Sequence, residues 1–558
     1  MDIIAFRKGL HRLLAREISS EALILFVSIF LVVVGNANFF QKTLLAYPWS
    51  IQNAGPFLSL IVSLVASFYV FFALICSRPW LKTLLVGSIL MASIIGFVTN
   101  TFGVVMDETM ILNSFKTDPG EVRDLVSAKF LLYIIFLGII PSYFVLRVNV
   151  SKMERTRAMF YRTRSVAVAV LIAVITVATF GKFYASFFRE HKELRSYINP
   201  LYFFYSAGKF TGRYMGEGTR KLAAFGRDSR IPPSDQERDL VIFVVGETAR
   251  ADHFSLNGYV KETNPLLKNE EVISLPNMWS CGTSTAISVP CMFSAFGRSG
   301  YSDKKGQSTE NLLDVLQNTK RVNVLWRDNN SDSKGVALRV SYEDFKVPTK
   351  NPMCDDECRD EGMLSGLQEY IDSKTSGDIL IVLHQMGNHG PAYYKRYPQR
   401  FEKFTPACHT NELANCTAVE ISNAYDNAIL YTDYFLSQVI GFLKQNSSQF
   451  ETAMLYVSDH GESLGENGVY LHGLPYLIAP EAQKRPAAVV WLGDSMREDI
   501  DVAKLKVRAL SQLSHDNIYH SLLSFFDVET NTYRKELDMF RTSARAHADS
   551  PNSSPTNN

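Results

Sequence analysis

Five long apolar runs crowd into the first third of the chain, and they limit its fold more than any other feature. They lie near residues 22–40, 57–76, 84–104, 130–148 and 165–183. Each approaches the roughly 20 residues a helix needs to cross a hydrocarbon core. A single run of this kind would also suit a buried core helix, but five in succession with charged connectors read as membrane spans. Beyond Gly181 the chain reads as a water-soluble body. Its 558 residues exceed the roughly 250–300 at which one core stops growing, so more than one domain is expected.

Basic residues set the orientation. Arg7, Lys8, Arg12 and Arg16 precede the first run, Arg78 and Lys82 occupy the second connector, and Arg147, Lys152, Arg155, Arg157, Arg162 and Arg164 cluster around the fourth. In the third connector Lys116, Arg123 and Lys129 are offset by Asp107, Glu108, Asp118, Glu121 and Asp124. The N-terminus is therefore expected in the cytoplasm, and an odd number of spans delivers the body to the far side. A cleavable signal peptide is the rival reading of the first run, but a convincing small-residue cleavage site is lacking.

Cysteine usage agrees with export. Cys76 lies in the second run, while Cys281, Cys291, Cys354, Cys358, Cys408 and Cys416 all fall in the body. Six cysteines permit many connectivities, although close spacing favours Cys281–Cys291, Cys354–Cys358 and Cys408–Cys416. Disulfides suit an oxidising compartment better than a metal knuckle, since no tight C-x-x-C unit occurs. A formal net charge of +1 argues against nucleic acid as a partner.

The expected domains are an anchor over 1–184, a membrane-surface linker with an amphipathic helix over 185–235, a catalytic body over 236–543 and a disordered tail over 544–558. Within the body, short Val-, Ile- and Leu-rich runs at 240–245, 322–326, 379–384, 453–457 and 488–492 alternate with helical stretches. This predicts a mostly parallel sheet covered by helices, with ligands at the carboxyl ends of the strands.

Polar residues occur at those ends. The first strand runs into Gly246-Glu247-Thr248-Ala249-Arg250, and the fourth into Ser458-Asp459-His460-Gly461-Glu462-Ser463. Glu247, Asp459 and His460 converge on one sheet edge, and such oxygen and nitrogen ligands suit zinc with one position left open. A hydroxyl from Gly282-Thr283-Ser284-Thr285 would fill that position, activated as a nucleophile by the metal and a helix N-terminus. Spacing alone ranks Thr285, Ser284 and Thr283 nearly equally. His389 and His472 have loop flanks, and Asn330, Ser331 and Lys334 follow the second strand as donors for an anionic group.

Together, Gly246-Glu247-Thr248-Ala249-Arg250-Ala251-Asp252-His253, Ser284-Thr285-Ala286-Ile287-Ser288-Val289-Pro290-Cys291, Asn388-His389-Gly390-Pro391 and Ser458-Asp459-His460-Gly461-Glu462-Ser463 resemble the phosphoethanolamine transferases. Their lipid A branch, which includes the enzymes of transferable colistin resistance, looks most similar. The resemblance implies a five-span anchor and an alkaline-phosphatase-like body. It also implies zinc held by Glu247, Thr285, Asp459 and His460, one ion tightly bound and a second possible, with Thr285 as nucleophile. Phosphatidylethanolamine would be the donor and a lipid A phosphate the acceptor, in the inner membrane of a Gram-negative cell, with the enzyme a monomer among membrane lipids. By similarity, His389 (acid, base or phosphate contact), His472, Asn330, Ser331 and Lys334 line the phosphoethanolamine region. Asn113, Thr117 and Glu121, four residues apart, look like headgroup contacts, and a continuous helix would place them on one face.

Transfer to Kdo or a core sugar is the alternative, as is a membrane-anchored phosphoester hydrolase. A sulfatase is disfavoured because the segment around Thr285 lacks a C/S-x-P-x-R motif. A catalytically dead receptor is disfavoured because all four ligands are present.

Overall fold

The computed structural model describes residues 17–76, 78–117, 119–214 and 222–540, so the expected tail at 544–558 lies outside the described residues. The chain divides into two compact units, Met1–Ile111 with Leu125–Gly216 and Leu112–Asp124 with Glu217–Asn558. This partition differs from an anchor ending at 184. The linker helices stay with the spans, while part of the third connector joins the body.

In the first unit, α1 (Ser20–Val33) and α2 (Ala37–Ala46) form a pair bent by 53° where one straight first span was expected. The helices α3 (Ile51–Ile75), α4 (Leu81–Phe102), α7 (Ala128–Arg147) and α8 (Arg155–Thr179) are each long and apolar enough to cross a membrane. Between α4 and α7 run α5 (Glu108–Lys116) and α6 (Pro119–Leu125). The bend in the first span exposes main-chain carbonyls that hydrocarbon cannot solvate. At the bend Asn36 Nδ2 donates to Leu31 O at 2.8 Å and Asn199 Nδ2 to Gly35 O at 3.2 Å, and the same two side chains reach Asn199 O at 2.7 Å and Ala92 O on α4 at 2.8 Å. A Cβ at Gly138 would lie 2.6 Å from Ser93 Oγ, so glycine is what lets α7 approach α4. Leu171, Val174 and Ile175 on α8 stay more than half exposed, as lipid-facing side chains do. Past the last span lie α9 (Gly181–Glu190) and α10 (Leu201–Tyr214), and Phe187 is buried while its neighbour Phe188 is exposed.

The second unit is built on a seven-stranded sheet. Its strands are β1 (Asp239–Gly246), β2 (Ile273–Ser274), β3 (Val322–Asp328), β4 (Ser341–Asp344), β5 (Asp378–His384), β6 (Glu451–Ser458) and β7 (Ala488–Leu492), in the order β2-β7-β6-β1-β5-β3-β4. The five strands from β6 to β4 run parallel, whereas β7 pairs antiparallel with both β6 and β2. The short edge strands β2 and β4 lacked a legible pattern of their own. All eight residues of β1 are buried. Its side chains alternate between two cores, Val241, Phe243 and Val245 on one face and Leu240, Ile242 and Val244 on the other. Burial on both faces is why these strands read as continuous apolar runs and why the direction of β7 was illegible.

On the second face lies α12 (Ala418–Asn446), started by a capping box between Thr417 and Glu420, with α11 (Thr285–Met292) on the first. Disulfides join Cys281–Cys291, Cys354–Cys358 and Cys408–Cys416, and Cys76 is free. Ile381 is wholly buried in β5 beside the strand that carries Glu247. Ile381→Ala is expected to cost about 2–5 kcal/mol. The check is the thermal midpoint of the body, and an unchanged midpoint would contradict this burial.

Candidate active site

Four neighbouring parallel strands aim their carboxyl ends at one place. β1 ends at Glu247, β6 at Asp459 and His460, β5 at Gln385 and β3 at Asn329 and Asn330. Glycine at 246 is obligatory, because a Cβ there would lie 2.6 Å from the Tyr456 ring on β6. The chain can thus turn Glu247 inward while β1 and β6 remain in register.

The hydroxyl question is answered by geometry. Thr283 Oγ1 donates to Leu474 O at 2.6 Å and is committed there. Ser284 is the N-cap of α11, and its buried Oγ meets no protein partner. Thr285 alone of the three reaches the ligand cluster, with Oγ1 donating to Glu247 Oε2 at 3.0 Å and lying 3.5 Å from His460 Nε2. It is the first residue of α11, where the helix dipole favours a developing oxyanion.

The rest of the cluster closes tightly. His460 Nε2 lies 3.5 Å from Glu247 Oε1 and 3.3 Å from Asp459 Oδ2. His460 Nδ1 donates to Gly461 O at 2.8 Å, which leaves the lone pair on Nε2 facing the carboxylates. Asp459 Oδ1 accepts from the amides of Thr248 at 3.2 Å and His460 at 2.8 Å. Burial pushes the Asp459 carboxyl up to about 7 and lowers the His460 imidazole to about 4. Two wholly buried carboxylates against a neutral imidazole and a hydroxyl are costly without a cation and well suited to one. The donor set therefore fits a divalent metal ion. A second group, Glu247, His389 and His472, also brings its ligand atoms within 4.8 Å of one another, as do His460, Glu462 and His472.

The two histidines expected at the mouth do meet. His472 lies 4.3 Å from the His460 ring and 5.4 Å from that of His389, centroid to centroid. Burial lowers His472 to about 4 and His389 well below its ordinary value, so both are neutral. Glu462, quoted in the sequence motif without a role, orients His472: its Oε2 lies 2.7 Å from His472 Nδ1, and Tyr393 donates to Oε1 at 2.7 Å. Burial raises the Glu462 carboxyl to about 8.

Asn330 is placed differently from a phosphate donor. Its Nδ2 donates to Glu247 Oε2 at 2.9 Å and to Gln385 O at 2.7 Å, so it orients the glutamate. Ser331 Oγ donates to Asn330 Oδ1 at 2.9 Å. Lys334 is buried in a left-handed conformation, its Nζ bonded to Ser331 Oγ and donating to Lys116 O at 2.9 Å. The single helical face proposed for Asn113, Thr117 and Glu121 does not form. Thr117 Oγ1 caps back onto Asn113 O at 2.8 Å, and Pro119 starts a separate helix, as proline disfavours helix in the residue before it. The side chain of Glu121 lies outside the described residues.

Two residues that the sequence did not single out hold the frame. His515 Nδ1 accepts from the Cys281 amide at 3.1 Å and Nε2 donates to Ser458 O at 3.1 Å, tying the threonine segment to the end of β6. His384 Nδ1 lies 2.9 Å from Asp328 Oδ2, and Asp328 Oδ1 accepts from the Asn330 amide at 3.0 Å. Both lie more than 40 residues from their partners, so local pattern carried no signal for them.

A sulfatase family model matches residues 239–528, and one described as phosphoethanolamine transferase EptA/EptB matches residues 64–215. Phosphatidylethanolamine transferase Mcr-1 of Escherichia coli is 41% identical, over 94% of this chain and 98% of its own. The chain belongs to the phosphoethanolamine transferase family. The phosphoethanolamine transferase EptA of Escherichia coli K12 is 38% identical over 96% of this chain and 99% of its own. The integral membrane lipooligosaccharide phosphoethanolamine transferase A of Neisseria meningitidis superposes with a TM-score of 0.90 at 34% identity, covering 94% of this chain and 99% of that one. For this phosphoethanolamine transferase the sulfatase-like sheet and the helical membrane region are thus both family features.

Because Asn330 donates to Glu247, one of the residues fit to hold the ion, Asn330→Ala is expected to weaken metal affinity roughly 10- to 100-fold with the fold retained. Competition with a chelating dye checks this, and unaltered affinity would remove Asn330 from the positioning role.

Proposed function

We propose that the protein transfers phosphoethanolamine from phosphatidylethanolamine to a lipid A phosphate through a covalent intermediate on Thr285. The observation that carries this reading is the Thr285 hydroxyl, at a helix N-terminus and 3.0 Å from Glu247. Phosphatidylethanolamine appears in the name of the Mcr-1 relative, the Neisseria relative is named for lipooligosaccharide, and a more distant relative of Escherichia coli is named for Kdo(2)-lipid A.

Glu247, Thr285, Asp459 and His460 would hold one zinc ion, and His389 and His472 a second near Glu247. Zinc held there supplies charge stabilisation for phosphoryl oxygens and a lowered pKa for the threonine hydroxyl. Thr285 Oγ1 attacks the phosphorus of the donor and its proton passes to Glu247 Oε2. The bond from phosphorus to the glycerol oxygen breaks, and diacylglycerol leaves with that proton, handed on by Glu247. A lipid A phosphate oxygen then attacks the same phosphorus, its own proton passes through Glu247 to the departing Thr285 oxygen, and the threonine hydroxyl is restored. Lys334 and Ser331 close the far side of the phosphoryl group. Two bulky lipids can use one site because they visit it in turn.

The N-terminus lies in the cytoplasm and the body in the periplasm of a Gram-negative cell, a reading that the basic connectors and the disulfides support. Adding an ammonium group to an anionic lipid weakens the attraction of polymyxins and other cationic peptides, so the protein confers colistin resistance. Mass spectrometry of lipid A from cells expressing wild type and Thr285→Ala tests the whole reading. Wild type is expected to add phosphoethanolamine and raise colistin survival, while the variant does neither. Unmodified lipid A with inserted wild-type protein would move the acceptor to core sugars or water.

A further inference from the structure

The segment Leu112–Asp124 lies in sequence between two spans yet packs as part of the body. Its end is held by a buried guanidinium. Arg396 is 5% exposed and Asp124 6%. Arg396 Nη2 donates to Asp124 Oδ2 at 2.9 Å, Nη1 to both oxygens of Glu357 at 2.5 Å, and Nε to the main-chain carbonyl of His389 at 2.6 Å. Three distant stretches of chain thus meet on one planar fork: the interspan connector, the loop closed by Cys354–Cys358, and the loop that carries a site histidine. At the connector's other described end, Lys334 Nζ donates to Lys116 O, and Lys116 pairs with Asp303 at 3.5 Å.

We infer that Asp124 is a positioning residue for the transfer reaction: its carboxylate orients Arg396, and Arg396 fixes the main chain at His389. The inference rests on the reading of this site as the transferase centre. Arginine's donors sit in a rigid plane, so the direction of Nε follows from where the two terminal nitrogens are anchored. With Asp124 neutralised, the buried cation keeps only Glu357 as counter-charge and rotates toward it. The His389 carbonyl then loses its donor, and the imidazole shifts relative to Glu247 and His472. Misplacement of about 1 Å at a reacting centre can cost roughly 100-fold. A connector tied by sequence to two spans would in this way complete the site from outside the sheet.

The test uses the full-length protein in lipid nanodiscs turning over phosphatidylethanolamine, with Asp124→Asn, Arg396→Lys, the double variant and Lys395→Gln. Lys395 Nζ pairs with the other Asp124 oxygen at 2.6 Å from a more exposed position. Asp124→Asn is expected to lower kcat about tenfold or more with KM within about twofold and the thermal midpoint retained. The double variant should be no worse than Arg396→Lys, and Lys395→Gln should keep kcat within about twofold, since it leaves the fork intact. A kcat unaffected by Asp124→Asn, additive losses, or a loss of equal size in Lys395→Gln would overturn the inference. Should Asp124→Asn fail to accumulate, Asp124→Glu carries the test: a lowered kcat at unchanged KM supports the role and a wild-type kcat ends it. An inactive wild type would instead sink the transferase reading.

Discussion

Two buried carboxylates, Glu247 and Asp459, face one imidazole and one hydroxyl within 3.5 Å, and much of the body serves to hold that arrangement against its own repulsion. Desolvation of each ion costs several kcal/mol, and a bound cation offsets that cost while both carboxylates stay charged. The ends of β1 and β6 bring the carboxylates together because the strands are adjacent and in register. The surrounding donors then remove freedom: Asn330 on Glu247, two main-chain amides on Asp459, and the Gly461 carbonyl on His460.

The Thr285 hydroxyl is presented from a different direction. Thr285 begins α11, which is bounded by Cys281–Cys291 and tied through His515 to the end of β6. Covalent and hydrogen-bonded restraint of so short a segment limits the motion of the hydroxyl relative to Glu247. Preorganisation of this kind lowers the rearrangement that a reaction at this hydroxyl would need.

The membrane unit solves a separate physical problem. Its helices expose aliphatic side chains to lipid, while Asn36 and Asn199 bond main-chain carbonyls at the bend between α1 and α2 and Ser63 bonds Thr176 and Tyr184. The connector between α4 and α7 does otherwise. Asp124 finds its partners, Lys395 and Arg396, in the body. Buried charge is expensive enough to decide which unit a segment belongs to, even when chain connectivity suggests the other.

Much was legible in sequence because it depends on local chemistry. Long apolar runs announce helices in lipid, Val- and Ile-rich runs announce doubly covered strands, and a carboxylate or imidazole just past such a strand announces a site. Those features marked Glu247, Asp459 and His460 before any coordinates existed, and family resemblance singled out Thr285. Residue spacing left three neighbouring hydroxyls level, and the tertiary structure separates them, since Thr283 is drawn off by Leu474 and Thr285 faces Glu247. Tertiary structure also decided that β7 runs antiparallel, that Pro119 splits the connector helix, and that Asn330 serves Glu247. Arg396 joins residues 272 positions apart in the chain at Asp124. Periodicity and spacing report on neighbours within a few turns of helix or strand, whereas the partner of a buried charge is chosen by the fold that brings distant segments into one low-dielectric place.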